Sequence, residues 1–366
     1  MESSIYCNEK TWLEGPAVEQ FRHVLMFPGI LCGVAFPDLH PGRGVPVGAA
    51  FLSQDIIYPA LIGNDIGCGM TLVSTRTPAR KLKADKLLRR LGDTPEEALR
   101  QSALECLPEL PNAPDDPLQM FGTLGHGNHF AEILAVEKVL DDEGWETFHA
   151  DKHDALMLIH SGSRAYGEAL WREFSATHGD SGVKANRAAG ATYLAEHARL
   201  IEWASFNRRL VARALARMLS CECAELLNAT HNSITPYGNS GCFLHRKGAS
   251  AVEPGRLAVV AGTRGSFSYL VMPQGNPKKY LHTLAHGAGR KWNRQSTKER
   301  VRAKHNDMQS LLQTKLGTKV VCPDKELLYE EAPEAYKDIE AVIADLQEFG
   351  LARPVARLRP VINIKP

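Results

Sequence analysis

Five short glycine-rich segments hold the residues best able to do chemistry. The first, Gly63-Asn64-Asp65-Ile66-Gly67-Cys68-Gly69, sets a carboxylate and a thiol on one turn. Its glycines permit positive φ and close backbone approach, so Asp65 and Cys68 can converge on one cation. A capping aspartate beside a buried cysteine is the plain alternative, and an Asp-x-x-Cys spacing alone is too short to decide. The second segment runs Gly122-Thr123-Leu124-Gly125-His126-Gly127-Asn128-His129-Phe130, where His129 opens an apolar strand in which imidazole has little packing value. The third, His160-Ser161-Gly162-Ser163-Arg164, closes the apolar run Leu156–Ile159 with a histidine. The fourth is Thr230-His231-Asn232 and the fifth His286-Gly287-Ala288-Gly289-Arg290.

A lone histidine at a strand end is more often a hydrogen-bonded structural residue than a ligand. Three of them in glycine-rich corners shift that balance. Asp65, Cys68, His129, His160 and His231 supply one carboxylate, one thiolate and three imidazoles, enough for two ions if the thiolate bridges. Two such ions can clamp a phosphate during in-line displacement. Donor softness by itself points to zinc. The His286 segment differs in kind, because Gly-Ala-Gly after a histidine lets backbone N–H groups approach an anion. Arg290, Lys291, Arg294, Lys298, Arg300, Arg302 and Lys304 follow, a run that suits a polyphosphate or an RNA backbone. Beyond Arg294 a solvated helix face explains the run equally well. His245-Arg246-Lys247-Gly248 adds a smaller cationic cluster. No Walker A and no Rossmann fingerprint occurs, so a nucleotide would be held in some other way.

The elements that must position these residues read as α+β. Strands are expected at 47–53, 70–74, 129–134, 155–160, 242–246, 256–261 and 268–272. Helices are expected at 82–91, 94–106, 184–228, 298–314 and 334–347. Thr94-Pro95-Glu96-Glu97 looks like a capping box with Pro at the first helical position. Strands and helices mix without a regular βαβ rhythm, which favours one large domain over residues 1–366.

Composition narrows the classes. The 366 residues carry 43 Lys+Arg against 42 Asp+Glu, so any RNA contact must come from local clustering rather than overall charge. No apolar run approaches the roughly 18 residues of a membrane helix. The N-terminal stretch has no apolar core of an export signal, so a cytoplasmic protein with reduced thiols is expected. The eight cysteines form no CxxC pair, and all but Cys68 read as packing.

GNDIGCGM, GTLGHGNHF, LIHSGSR, THNSI, HRKGA, LAHGAGR and EAYKDIEAV, in this order, resemble the RtcB family of RNA ligases. The resemblance covers nearly the whole chain, from Phe36-Pro37-Asp38-Leu39-His40 to Ile364-Lys365-Pro366. It implies a ligase that joins an RNA 3′-phosphate or 2′,3′-cyclic phosphate to a 5′-hydroxyl with GTP and two Mn²⁺ ions, which replaces zinc as the expected metal. By this resemblance Asp65, Cys68, His129, His160 and His231 are metal ligands and His286 carries covalent GMP. Asn128, Glu132, Asn232, Thr263, Ser268, Ala288, Gly289 and Lys365 are implied nucleotide contacts. Asp38, Arg164, Lys247, Arg290 and Arg294 are implied RNA- or phosphate-handling positions.

Three features depart from the main branch of that family. Thr230 stands where a second histidine usually precedes His231, Thr263 where a serine is usual, and the segment between Cys68 and Gly122 is short. With Pro37-Asp38-Leu39-His40-Pro41-Gly42-Arg43-Gly44 this resembles a smaller bacterial subgroup encoded beside a release-factor-like protein. The implied role is repair of cleaved RNA, with ribosomal RNA as a candidate and functional coupling to such a factor. A dinuclear phosphoesterase or nuclease acting on RNA ends would use the same donor set, but has no need of His286-Gly-Ala-Gly-Arg. An RNA-binding protein that has lost activity is the third reading, and the presence of every donor and of His286 argues against it.

Overall fold

The computed structural model describes residues 2–82, 84–110, 113–114, 120–238, 241–305 and 309–365. Two sheets organise the chain, and the donors of interest lie where they meet. In the larger, eight-stranded sheet, the order is Ala258–Val260, Ser268–Pro273, Ala352–Ile364, Phe130–Val139, Asp154–Ser161, Gly69–Pro78 and Ala224–Thr230, with Lys319–Val321 parallel to Ala352–Ile364. In the smaller, five-stranded sheet, it is Ser4–Ile5, Ile30–His40, Val47–Gln54, Cys242–Lys247 and Asn232–Tyr237. Only His231 separates Ala224–Thr230 from Asn232–Tyr237, so the chain passes from one sheet to the other at that residue. The mixed strands and helices make this an α+β protein.

The central strand Asp154–Ser161 is buried along its whole length, as expected of a strand covered on both faces. One cover is the helix Ala188–Leu219, whose Trp203, Leu210, Val211 and Leu215 pack with Val73, Ile133, Met157 and Ile159. Among the described residues no helix is long and apolar enough to cross a membrane.

Most expected elements occur, with informative differences. The helix expected over 184–228 stops at Leu219, where Ser220 adopts a left-handed φ of 59°, and 224–230 is a strand. Its apolar residues serve the edge of the sheet rather than a further helical turn. The expected capping box does not form, since Thr94 makes no side-chain cap bond, although Pro95 does open that helix. The helix expected at 298–314 starts earlier and ends at Lys304, and 306–308 lie outside the described residues. The helix expected at 334–347 starts only at Ile339, capped by Asp338. Helices Gly15–Leu25 and Arg164–His178 and the 13-residue strand Ala352–Ile364 were not expected.

Candidate active site

Four neighbouring strands of the larger sheet bring the donor residues to one end. Gly69 pairs with both Ser161 and Thr230, and His160 pairs with both Met70 and Phe130. Strands lie about 4.8 Å apart, so Cys68, His129, His160 and His231 fall into one row by register alone. Cys68 Sγ lies 3.3 Å from His129 Nε2 and 3.2 Å from His160 Nε2. His129 Nε2 is 3.1 Å from Asp65 Oδ2, and His160 Nε2 is 3.2 Å from His231 Nε2. The donors form two triads that share the thiol, Asp65–Cys68–His129 and Cys68–His160–His231, each within 4.8 Å. Nδ1 of His160 and of His231 is buried without a partner, so among the described residues the polar contacts of both rings run only to other donors of the cluster. Sulfur, imidazole and carboxylate converging in this way suit metal ions.

Electrostatics support that use. Burial lowers the pKa of His160 and of His231 well below the usual histidine range, leaving neutral imidazoles. Burial pushes up the Asp65 carboxyl, but His129 outweighs it and holds the group ionised. Burial and then Asp65 push the Cys68 thiol well above its usual range. A bound cation reverses that sign, because a coordinating thiol is deprotonated. Arg164 Nη1 donates to His129 Nδ1 at 3.0 Å, from a residue with φ of 57° at the start of its helix. Coordination through His129 Nε2 would put the ring proton on Nδ1 and break this bond.

His286 follows the strand Thr283–Ala285 and stands against the donor row, its ring 4.7 Å from that of His231. Its Nδ1 lies 2.7 Å from Asp38 Oδ2, and its backbone N–H donates to the same oxygen at 3.2 Å. A carboxylate at this distance accepts from Nδ1–H, so the pair orients the ring through Nδ1 and leaves Nε2 on its other edge. Asp38, implied as an RNA-handling position, is instead fully buried behind the histidine. Lys337 fixes its strand by donating to the carbonyls of Pro37 at 2.8 Å and Leu39 at 2.6 Å. Gly289, at φ of 71°, packs directly on that strand; a Cβ there would lie 2.2 Å from Asp38 O.

A cavity of about 250 Å³ joins these parts. Asp65, Cys68, His160, His231 and His286 line it together with Asn128, Glu132, Asn232, Lys247, Thr263, Ala288, Gly289, Arg290, Arg294 and Lys365. Glu132 is buried and receives a bond from Asn363 at 2.8 Å; burial raises its pKa to about 8. Burial lowers Lys247 to about 8, and its ammonium donates to Ile62 O at 2.6 Å. Lys365 donates to the carbonyls of Gly127 and His129. Asn232 uses both amide ends on backbone, at Asp65 O and Gly248 N. Ser268 lies behind the cavity wall and accepts from Gly262 N. Arg290 is also committed: it bonds Glu331, Trp292 O, Thr297 and Glu330 O and stacks on Tyr336. Arg294 remains half exposed, 3.8 Å from Glu330 and 3.6 Å from Glu331.

One residue of the site was not singled out from sequence. Arg208, in the long helix, is fully buried and donates to Gly67 O, Ser161 O, Thr71 Oγ1 and Asn228 Oδ1. It pins the Asp65–Cys68 turn to the strands that carry the histidines. Its only sequence signal is an arginine on the apolar face of a helix.

Fold and site together define an α+β protein with a shared-thiol cluster able to hold metal ions beside a carboxylate-paired histidine. The family profile described as tRNA-splicing ligase RtcB matches residues 20–106 and 109–366. The chain is 41% identical over 360 residues to the RNA-splicing ligase RtcB2 of Escherichia coli, covering 98% of this chain and 94% of that protein. It is 25% identical to the tRNA-splicing ligase RtcB of Methanococcus maripaludis (99% and 94% covered) and 27% identical to that of Archaeoglobus fulgidus (95% and 91%). The chain belongs to the RtcB family of RNA ligases.

Proposed function

We propose that this protein joins RNA 3′-phosphate or 2′,3′-cyclic phosphate ends to 5′-hydroxyl ends, using GTP and Mn²⁺ through a guanylylated His286. The observation that carries the reading is His286 itself. Its Nδ1 is tied to buried Asp38, its ring abuts His231, and it lines the same cavity as the donor cluster, which leaves Nε2 to meet a nucleotide there.

His286 Nε2 attacks the α-phosphorus of GTP, a P–N bond forms, and pyrophosphate leaves. Asp38 stabilises the positive charge the ring acquires and keeps its proton on Nδ1. The GMP then passes to the RNA 3′-phosphate, which restores neutral His286 and gives the RNA end a good leaving group. The 5′-hydroxyl attacks the activated phosphate and GMP departs. A cyclic end is first opened by water to the 3′-phosphate. Asp65, Cys68 and His129 would hold one ion, and Cys68, His160 and His231 the other. Bound there, the ions supply Lewis acidity and offset phosphate charge. Asn128, Glu132, Thr263 and Lys365 line the nucleotide side. The paired N–H donors of a guanine edge would draw the Glu132 carboxyl, held neutral by burial in the free protein, into its ionised form. The physiological role we infer is repair of cleaved RNA in the cytoplasm, in functional coupling to a release-factor-like protein.

Incubation with labelled GTP and Mn²⁺ should leave GMP on the protein through an acid-labile bond. His286→Ala should form no adduct, yet still seal RNA whose 3′-phosphate is already guanylylated. An adduct mapped to a lysine would overturn the mechanism.

A further inference from the structure

The basic run after His286 is not uniform in the folded protein. Lys298 pairs with Glu326 and Glu330 at 2.9 Å, Arg302 with Glu326, and Lys304 with Glu334 at 3.0 Å. These charges are neutralised on the helix surface and add little to a field for phosphate. Lys291 and Arg300 are different. Among the described residues neither has an acidic partner, and both lie against tryptophan rings. Arg300 stacks 4.7 Å from the centre of Trp292, while Lys291 lies 5.1 Å from Trp292 and 5.8 Å from Trp12. Trp12 is 53% exposed, an unusual position for so large an aromatic surface.

The patch has a defined place. Lys291 and Trp292 are held by backbone bonds to Ala335 O and line a cleft of about 350 Å³. That cleft shares Thr263 and Tyr336 with the catalytic cavity. Lys291 follows His286 by five residues, so their Cα atoms lie within about 18 Å of one another. Resting on the proposed ligase reading, we infer that Trp12, Lys291, Trp292 and Arg300 form a landing platform for the single-stranded RNA leading to the end being sealed. Bases stack on the two indoles, and Lys291 and Arg300 meet the phosphates between them. Aromatic rings alternating with free cations are the chemistry that holds single-stranded nucleic acid without reading its sequence. The cation–π contacts keep both cations in place before RNA arrives.

The test measures binding of 3′-phosphorylated single-stranded RNA, a dinucleotide and an oligonucleotide of about ten residues, within the range one such surface covers. Trp12→Ala/Trp292→Ala should weaken the longer RNA about tenfold or more while leaving the dinucleotide unchanged. The tryptophan quenching that accompanies binding should shrink with it. Lys291→Ala and Arg300→Ala should each lower the salt slope by about 0.7, whereas Lys304→Ala should not. Longer RNA bound by the double tryptophan variant as tightly as by the parent, with an unchanged salt slope in Lys291→Ala and Arg300→Ala, would overturn the platform. GMP transfer from GTP, measured without RNA, separates the two readings. An adduct formed by parent and double variant alike, with unchanged RNA affinity, refutes the platform alone; absence of the adduct in the parent refutes the nucleotide chemistry, while the RNA affinities still decide the platform.

Discussion

The donor cluster and the His286 turn touch, yet they are built in opposite ways. Cys68, His129, His160 and His231 lie in a row because four strands of one sheet are in register, with the core beneath them. His286 sits outside that sheet, at the end of a three-residue strand, and its aim depends on one carboxylate from the smaller sheet. The first arrangement is shared among many backbone bonds, and Cys68 is the point common to both triads. The second rests on a single side-chain bond. Damage should therefore spread through the donor cluster, but stay confined to one chemical step at the histidine.

The largest effect should come from Cys68→Ala. Both triads lose their common donor, so on the proposed two-ion reading bound Mn²⁺, measured by elemental analysis, should fall from two ions to nearly none and sealing should stop. Cys68→Ser should fare no better, since a hydroxyl hardly ionises where a thiolate forms beside a cation. Full sealing by either variant would remove the shared-donor arrangement from the mechanism.

Asp38→Asn should act on the histidine alone. The amide preserves shape but no longer fixes the proton on Nδ1, and GMP transfer should slow by roughly 10²–10⁴-fold. Metal content should be unchanged. A drop in bound Mn²⁺ would show that the two regions are not separable in this way.

Arg208→Met tests how the donor row is supported. It strips four acceptors of their donor and should cost about 2–4 kcal/mol of stability in chemical denaturation. Through the Asp65–Cys68 turn it should weaken Mn²⁺ binding about 10–100-fold, while every ligand remains in the chain. Metal affinity equal to the parent's would reduce Arg208 to a packing role.

Glu132 gives the smallest effect. Burial raises its folded pKa to about 8, against an ordinary value near 4.5. Between these values the folded protein binds more protons at this site than the unfolded chain, so stability declines as pH rises from about 4.5 to about 8. Glu132→Gln should flatten that decline, read as the difference in denaturation midpoint between variant and parent across the same pH range. Parallel curves would mean that Glu132 is ionised throughout.

How much was legible in the sequence follows from the same contrast. Asp65, Cys68, His129, His160 and His231 stood out because glycine-rich corners and strand ends are poor places for packing histidines and a thiol. Asp38 was expected only as an RNA- or phosphate-handling position, and its pairing with His286 was not foreseen. Its strand is remote in sequence from His286, and no local pattern says which of many turns a buried carboxylate will face. Arg290 was expected to handle RNA or phosphate, yet Glu331, Thr297 and two carbonyls take up its guanidinium. Arg208 had no signal beyond its place on an apolar helix face.

By itself, the sequence marked out the residues proposed as donors and nucleophile, and showed that strands and helices mix in one α+β chain. Those facts follow from residue type, glycine corners and local periodicity, which act over a few residues. The tertiary structure alone decided that Cys68 serves both triads, that Asp38 holds His286, and which cations of the basic run meet an acidic partner among the described residues. Each of these depends on pairing across sheets or between a helix and a distant acid, and such pairing is fixed by strand register and core packing rather than by neighbours in sequence.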